Sequence, residues 1–260
     1  MRCGLLMKVD WRKRWEATAN VYADEIGGGY HRHRIDVVRA LEGVRLLDFG
    51  CGDGTFMLEA CRLGAASVTG IDQSSPMLAR ASEKVPNCET ILGGTETLAR
   101  LGDSEVGCVL ALNVLAYLSS EEESAFYAQT QRILHPGGSL VIIHSNALFD
   151  LFTLNRFTVE FHRQHFGTDP TTLLTSPSVP DRRQLLIREN PLSYALKLER
   201  LGFRQVRQEF MNFHAEIPLL SVDDPDDMQR ERPDTLNWPP EDRWRLMFQC
   251  SMFGVRAIAI

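Results

Sequence analysis

From Val44 to Asn146, short apolar runs alternate with amphipathic stretches, and that rhythm restricts the fold more than any other feature of the chain. The runs Val44–Phe49, Ser67–Ile71, Glu89–Leu92, Val106–Leu112 and Ser139–His144 have strand length, and the stretches between them have helix length. Repeated strand–helix units build a parallel sheet with helices packed on it. The helices carry their own punctuation. Ser75 followed by Pro76 reads as a cap and a first-turn proline. Ser120 with Glu123 reads as a capping box. The breaker cluster His135-Pro136-Gly137-Gly138 ends that helix before the fifth strand.

The flanks differ from this core. Trp11–Asp24 and Tyr30–Leu41 read as helices. After Asn146 the rhythm breaks: Asn146–Phe166 carries Phe149, Phe152, Phe157, Phe161 and Phe166 and reads as an inserted helix, followed by a polar loop, Gly167–Asp181. Pro191–Gly202 reads as a helix, and Phe203–Met211 and Phe248–Ile260 as two last strands. The expected organisation is a single domain over 1–260. It has N-terminal helices at 1–43, a core at 44–146 and a cap at 147–190. A C-terminal helix and strands follow at 191–260, with a polar, proline-rich excursion at 221–243.

Composition narrows the partners. The chain has 260 residues, 44% of them hydrophobic, so it can bury a core without disulfide staples. Its net charge of -6 gives no general attraction to phosphate backbones, which weighs against nucleic acid. No apolar run has bilayer-spanning length, and Met1 to Trp15 lacks the apolar segment of a signal peptide or anchor. The six cysteines, Cys3, Cys51, Cys61, Cys88, Cys108 and Cys250, form no CxxC pair and read as buried free thiols of a reducing compartment. The expected location is therefore the cytoplasm, with no membrane partner.

The sharpest motif is Leu46-Leu47-Asp48-Phe49-Gly50-Cys51-Gly52-Asp53-Gly54, which ends an apolar strand and opens an amphipathic helix, Thr55–Leu63. Glycines allow a sharp turn and close approach of the backbone to a ligand. A dinucleotide site would show GxGxxG, with a pyrophosphate on the helix N-terminus. Here the spacing is GxGxG, and Asp48 would repel a pyrophosphate while suiting a cationic amino-acid moiety. Asp72, at the end of the second strand, lies where an acid can bond ribose hydroxyls. A ligand with an ammonium group, a ribose and no phosphate satisfies both acids.

These residues resemble the class I S-adenosylmethionine-dependent methyltransferases of small-molecule type. Four segments match in order: Asp48 to Gly54, Ile71 to Leu78, Leu112 to Leu118, and Leu134 to Leu140. The resemblance implies a Rossmann-like α/β fold. Its seven-stranded, mostly parallel sheet would have an antiparallel last strand, helices on both faces and a cap inserted after strand five. It implies S-adenosylmethionine as cofactor, S-adenosylhomocysteine as product, and no metal. It would put Gly50, Cys51, Gly52 and Gly54 along the methionine part, Asp72 on the ribose, Gln73 and Met77 beside the adenine, and Asn113 near the methionine end. The family often has an acid after the third strand to receive the adenine amino group. Here Gly93 is followed by Gly94, Thr95 and Glu96, so a Thr95 N–H and the Glu96 carboxylate stand in for it. Tyr22 and Arg34 are candidates for the methionine carboxylate, with packing or surface roles equally open.

The acceptor belongs beyond strands four to six. Methyl transfer from an activated sulfonium needs alignment and dryness; a hydroxyl acceptor also needs a base. His144 and His214 are the candidate bases and Tyr117 an orienting group, each against the alternative of a structural hydrogen bond. His162 and His165 lack a third metal ligand, and Asp223–Asp227 reads as a solvated loop. The chain has no (N/D)PP(Y/F) segment and no placeable Lys-Asp-Lys-Glu tetrad, which leaves a small-molecule acceptor, with a hydroxyl favoured. N-methylation, a catalytically silent binding module and an NAD-dependent oxidoreductase remain open at this point, the last disfavoured by Asp48.

Overall fold

A computed structural model of the chain describes residues 41–149, 189–213 and 244–260. The strands are β1 (Arg45–Phe49), β2 (Ser67–Asp72), β3 (Glu89–Leu92), β4 (Val106–Leu112), β5 (Leu134–Ser145), β6 (Phe203–Phe213) and β7 (Cys250–Ala259). The helices are α1 (Thr55–Arg62), α2 (Ser75–Lys84), α3 (Ser120–Ile133), α4 (Tyr194–Arg200) and α5 (Leu246–Gln249). The seven strands form one sheet in the order β3-β2-β1-β4-β5-β7-β6. β1 to β5 pair in parallel, and β7 runs antiparallel to both β5 and β6. This is the expected Rossmann-like α/β architecture.

Strand alternation sends side chains to two separate cores. Leu47, Phe49, Val109, Leu140 and Ile142 pack with Phe126 and Tyr127 of α3 and Tyr194 and Leu198 of α4. Leu46, Leu110, Val141 and Ile143 pack with Met57 and Ala60 of α1 and Leu78 and Ala81 of α2. All seven residues of β4 are buried, as a strand covered on both faces requires. The order reverses between β1 and β4, so the switch point of the sheet lies where the Gly50–Gly54 loop leaves β1.

Several expected boundaries are corrected. The capping box sits one residue earlier, Ser119 with Glu122: the Ser119 hydroxyl accepts from the Glu122 amide at 3.2 Å and Glu122 Oε2 accepts from the Ser119 amide at 2.7 Å. The cap of α2 is Ser74, not Ser75, and its amide is bound by Asp72 Oδ1 at 2.8 Å. β5 begins at Leu134 rather than Ser139. Its register jumps from Val106↔Leu134 to Cys108↔Ser139, so His135–Gly138 loop out of a strand they were expected to precede. The helix expected over Pro191–Gly202 is confined to Tyr194–Arg200, because Asn190 Oδ1 turns the chain at the Leu192 amide (2.9 Å). Phe248 and Gln249 belong to α5, not to the last strand. Of the thiols expected to be buried, Cys51, Cys108 and Cys250 are; Cys61 is exposed and Cys88 half-buried.

The expected N-terminal helices up to residue 40, residues 150–188 of the expected cap and the excursion expected at 221–243 lie outside the described residues. The chain leaves β5 and returns close by, since Asn146 bridges Glu189 and the Ala147 amide donates to Glu189 O at 2.9 Å. No described helix is long and apolar enough to cross a membrane.

Candidate functional site

The loop after β1 is held by backbone bonds to its neighbour strand. The Gly50 and Cys51 amides both donate to Ile71 O, at 2.7 and 3.0 Å. Gly50 (φ 76), Gly52 (φ 53) and Gly54 (φ 78) all take left-handed conformations. Two of them also need to be glycine for space. A Cβ at Gly50 would lie 2.5 Å from Val114 Cγ2, and one at Gly54 would lie 2.9 Å from Ala81 Cα. Gly52 differs: a Cβ there would meet nothing within 4 Å, so this part of the loop faces open space.

Three aspartates surround the loop. Asp72 accepts from the Gly52 amide at 2.9 Å through Oδ2 and from the Ser74 amide through Oδ1. Burial pushes its carboxyl up, against the pull of the Ser74, Gly52 and Gln73 amides. Asp53 accepts from the Thr55 hydroxyl at 2.7 Å and from the Thr55 amide at 3.2 Å, and forms an ion pair with Lys84. Burial opposes its ionisation, but these bonds outweigh it and hold Asp53 below the ordinary value. Asp48 has no such support. It is 1% exposed, and its Oδ2 is buried without a hydrogen-bond partner. Burial first, then the charges of Asp72 and Asp53, raise it to about 7. An orphaned buried carboxylate oxygen costs free energy unless a donor reaches it.

The other sequence candidates among the described residues fall at the same carboxyl ends of the strands. Cys51 is buried, and burial, then Asp48 and Asp72, hold its thiol protonated far above the ordinary range. Gln73 reaches over Gly94, since a Cβ on Gly94 would lie 2.6 Å from Gln73 Nε2. Glu96 Oε1 accepts from the Gly94 amide at 2.8 Å; Thr95, between them, is buried, as is Met77 in α2. The Gly94–Glu96 turn expected to replace the missing acid is thus stitched by Glu96 itself. Asn113 follows β4 with φ 58, a conformation Asn tolerates better than most residues, and its amide donates to Ile143 O at 3.0 Å. Tyr117 ends a 3-10 turn, Leu115–Tyr117, and is half-buried.

His144 stands apart from these. Its ring is 3% exposed and its Nε2 pairs with the Tyr194 hydroxyl at 2.6 Å, which in turn pairs with the Tyr127 hydroxyl at 2.6 Å. Burial, then the charge of Lys197, lower it to about 3, so the imidazole is neutral. Asn146 is also internal, donating to Met247 O and Cys250 O at 2.7 and 2.8 Å. Tyr22, Arg34 and His214 lie outside the described residues. The Asp53–Lys84 pair and the Tyr194 hydroxyl were not singled out from the sequence. Asp53 with Thr55 two residues on is a readable local turn; nothing local announces Tyr194. Among the described residues no cluster of three or more His, Cys, Asp or Glu forms a metal site.

Residues 46–138 match the family described as methyltransferase domain. A ubiquinone biosynthesis O-methyltransferase of Maricaulis maris is 28% identical over 151 residues, covering 53% of this chain and 58% of that protein. The chain spans 33% to 62% of the length of the first curated relatives it matches. Among solved structures, a putative methyltransferase of Haloferax volcanii in complex with the Trm112 methyltransferase activator superposes with a TM-score of 0.60. It is 15% identical over 95% of this chain and 96% of that one. Magnesium protoporphyrin IX methyltransferase of Synechocystis, with bound S-adenosylmethionine, gives 0.57 at 16% identity over all of both chains. The stretch that carries Asp48 to Gly54 thus lies within a methyltransferase domain match, and the sheet order 3-2-1-4-5-7-6 with its antiparallel β7 is a Rossmann-like methyltransferase fold.

Proposed function

We propose that the protein transfers a methyl group from S-adenosylmethionine to a small-molecule acceptor, with a hydroxyl as the favoured target. The observation that carries this reading is the unpartnered Asp48 Oδ2, buried beside a glycine loop whose Gly52 faces open space. The residues fit the cofactor. A cationic ammonium would supply Asp48 with the donor it lacks, and no phosphate need approach a site rich in carboxylates. Asp72, oriented by the Gly52 and Ser74 amides, would hold the ribose, while Gln73, Met77 and the Gly94–Glu96 turn would border the adenine. Asn113 would border the methionine end.

Bound there, S-adenosylmethionine would supply a sulfonium-activated methyl group. The protein's own task is then alignment and exclusion of water. Tyr117, after β4, would orient the acceptor. A base for a hydroxyl acceptor is better sought at His214 than at His144, whose Nε2 is engaged by Tyr194 and whose ring stays neutral in its buried setting. The preference for oxygen over nitrogen rests on the O-methyltransferase likeness. The test is to incubate the protein with methyl-labelled S-adenosylmethionine and a panel of phenolic and amine acceptors. Label in phenols, reduced by His214→Ala, supports the reading. Label only in amines would replace the hydroxyl by nitrogen, and no transfer from a protein that binds the cofactor would favour a silent binding module.

A further inference from the structure

Cys61, in the last turn of α1, and Cys88, just before β3, place their sulfurs 3.5 Å apart although 27 residues separate them in sequence. Both are free thiols; Cys61 is exposed, and Cys88 is half-buried against the core beneath α1 and α2. The sequence alone puts neither in a CxxC pair; only the crossover through β2 and α2 brings them together. We infer that Cys61 and Cys88 form a redox-responsive dithiol whose oxidation staples α1 to the start of β3.

The chemistry needs a two-electron oxidant, for which a hydroperoxide serves. The exposed Cys61 is reached first; its thiolate attacks the peroxide oxygen, giving a sulfenic acid and releasing hydroxide. The Cys88 sulfur then displaces water from that sulfenic acid, forming the S–S bond. In sum, two thiols and one hydrogen peroxide give one disulfide and two waters. Burial and the Cys61 neighbour push the Cys88 thiol up to about 12, which leaves the first attack to Cys61. The closed loop would contain all of β2 and α2, including Asp72. The sulfurs lie toward the amino ends of the strands, whereas Asp48 and Asp72 lie at the carboxyl ends of β1 and β2, so the staple acts on stability and leaves the carboxyl-end site as it is.

The full-length protein, reduced and then exposed to hydrogen peroxide, is alkylated, digested without reductant and read by mass spectrometry. The expected product is a Cys61–Cys88 cross-linked peptide pair, lighter than its two parts by two hydrogens and absent from Cys61→Ser and Cys88→Ser. The thermal midpoint should rise by about 5 °C or more on oxidation and return on reduction. Neither single variant should show that rise. Free alkylation of both thiols after peroxide, separate sulfinic acids at the two positions, or the same thermal gain in Cys88→Ser would each overturn the inference.

Discussion

The Gly52 amide donates to Asp72 Oδ2 at 2.9 Å, tying the loop after β1 to the end of β2 across 20 residues of sequence. The bond sits beside the one glycine of the loop that faces open space. Loop shape and carboxylate orientation are therefore one unit, and substitutions in it should separate folding from binding.

Gly52→Ala adds a methyl group that meets no protein atom within 4 Å, at a left-handed φ of 53. It should cost about 1–2 kcal/mol of stability and leave the protein folded. Its effect on S-adenosylmethionine binding should be larger, at least about tenfold, or roughly 1.4 kcal/mol. Gly50→Ala adds a methyl that collides with Val114 and should cost about 2–4 kcal/mol through strain and overpacking. Denaturant melts and calorimetry on both variants check the contrast.

Asp48 makes stability depend on pH. Its folded pKa, raised from 3.8 to about 7, means that its contribution is fully present below the unfolded value and is lost as pH rises through the folded one. Asp48→Asn should therefore remove a fall in stability across that window. Above it, the variant should exceed the parent by on the order of 2–4 kcal/mol. His144 acts in the opposite sense: its folded pKa is lowered, so its contribution is present above 6.5 and lost as pH falls toward 3. Comparing the two proteins isolates Asp48. A cationic ligand beside Asp48 favours its ionised form, so binding near pH 7 should release protons, measured as a dependence of the binding heat on buffer ionisation enthalpy.

The Tyr194 hydroxyl serves both His144 Nε2 and the Tyr127 hydroxyl in a buried setting. Tyr194→Phe strands both partners and should cost about 1–3 kcal/mol in chemical denaturation. Adding Tyr127→Phe should cost less than the sum of the two single changes, because one partner of the broken bond is already gone.

Lys84→Met leaves the largely buried Asp53 carboxylate without its cation. Lys84 is 31% exposed, so solvent screening tempers the loss, which should be about 1–2 kcal/mol and smaller in high salt. The same variant should weaken cofactor binding several-fold, since Asp53 anchors the start of α1 through Thr55.

The sequence made the core of the fold readable because its signals there are local. Strands β1 to β4 end within a residue of their expected bounds: β1 and β4 are buried apolar runs that leave little choice of register, and the partly exposed β2 and β3 are short runs closed by turns. Errors arose where several caps compete: Ser119, Ser120 and Glu121 to Glu123 offer two capping boxes, and only the chain's approach to α3 selects Ser119 with Glu122. His135–Gly138 misled because a proline and two glycines break a helix and also suit a bulge. The acid pair Asp48 and Asp72 was legible from spacing. The Tyr127–Tyr194–His144 chain and the Cys61–Cys88 pair were not, because each joins elements distant in sequence and follows only from how α3, α4 and the α1–β3 crossover pack. From its place at the end of β5, His144 is open to the role of a base or of a structural hydrogen-bond partner, and its burial against Tyr194 of α4 cannot be seen from that place alone.

The central claim is that the two acids and the glycine loop hold S-adenosylmethionine. The most direct test is calorimetric titration of the protein and of Asp72→Ala with S-adenosylmethionine, S-adenosylhomocysteine and NAD, with a thermal melt of each protein to show that it is folded. Binding of both adenosyl ligands, weakened at least about tenfold in Asp72→Ala and absent for NAD, is the predicted result. A folded parent protein that ignores both adenosyl ligands, or prefers NAD, would contradict it.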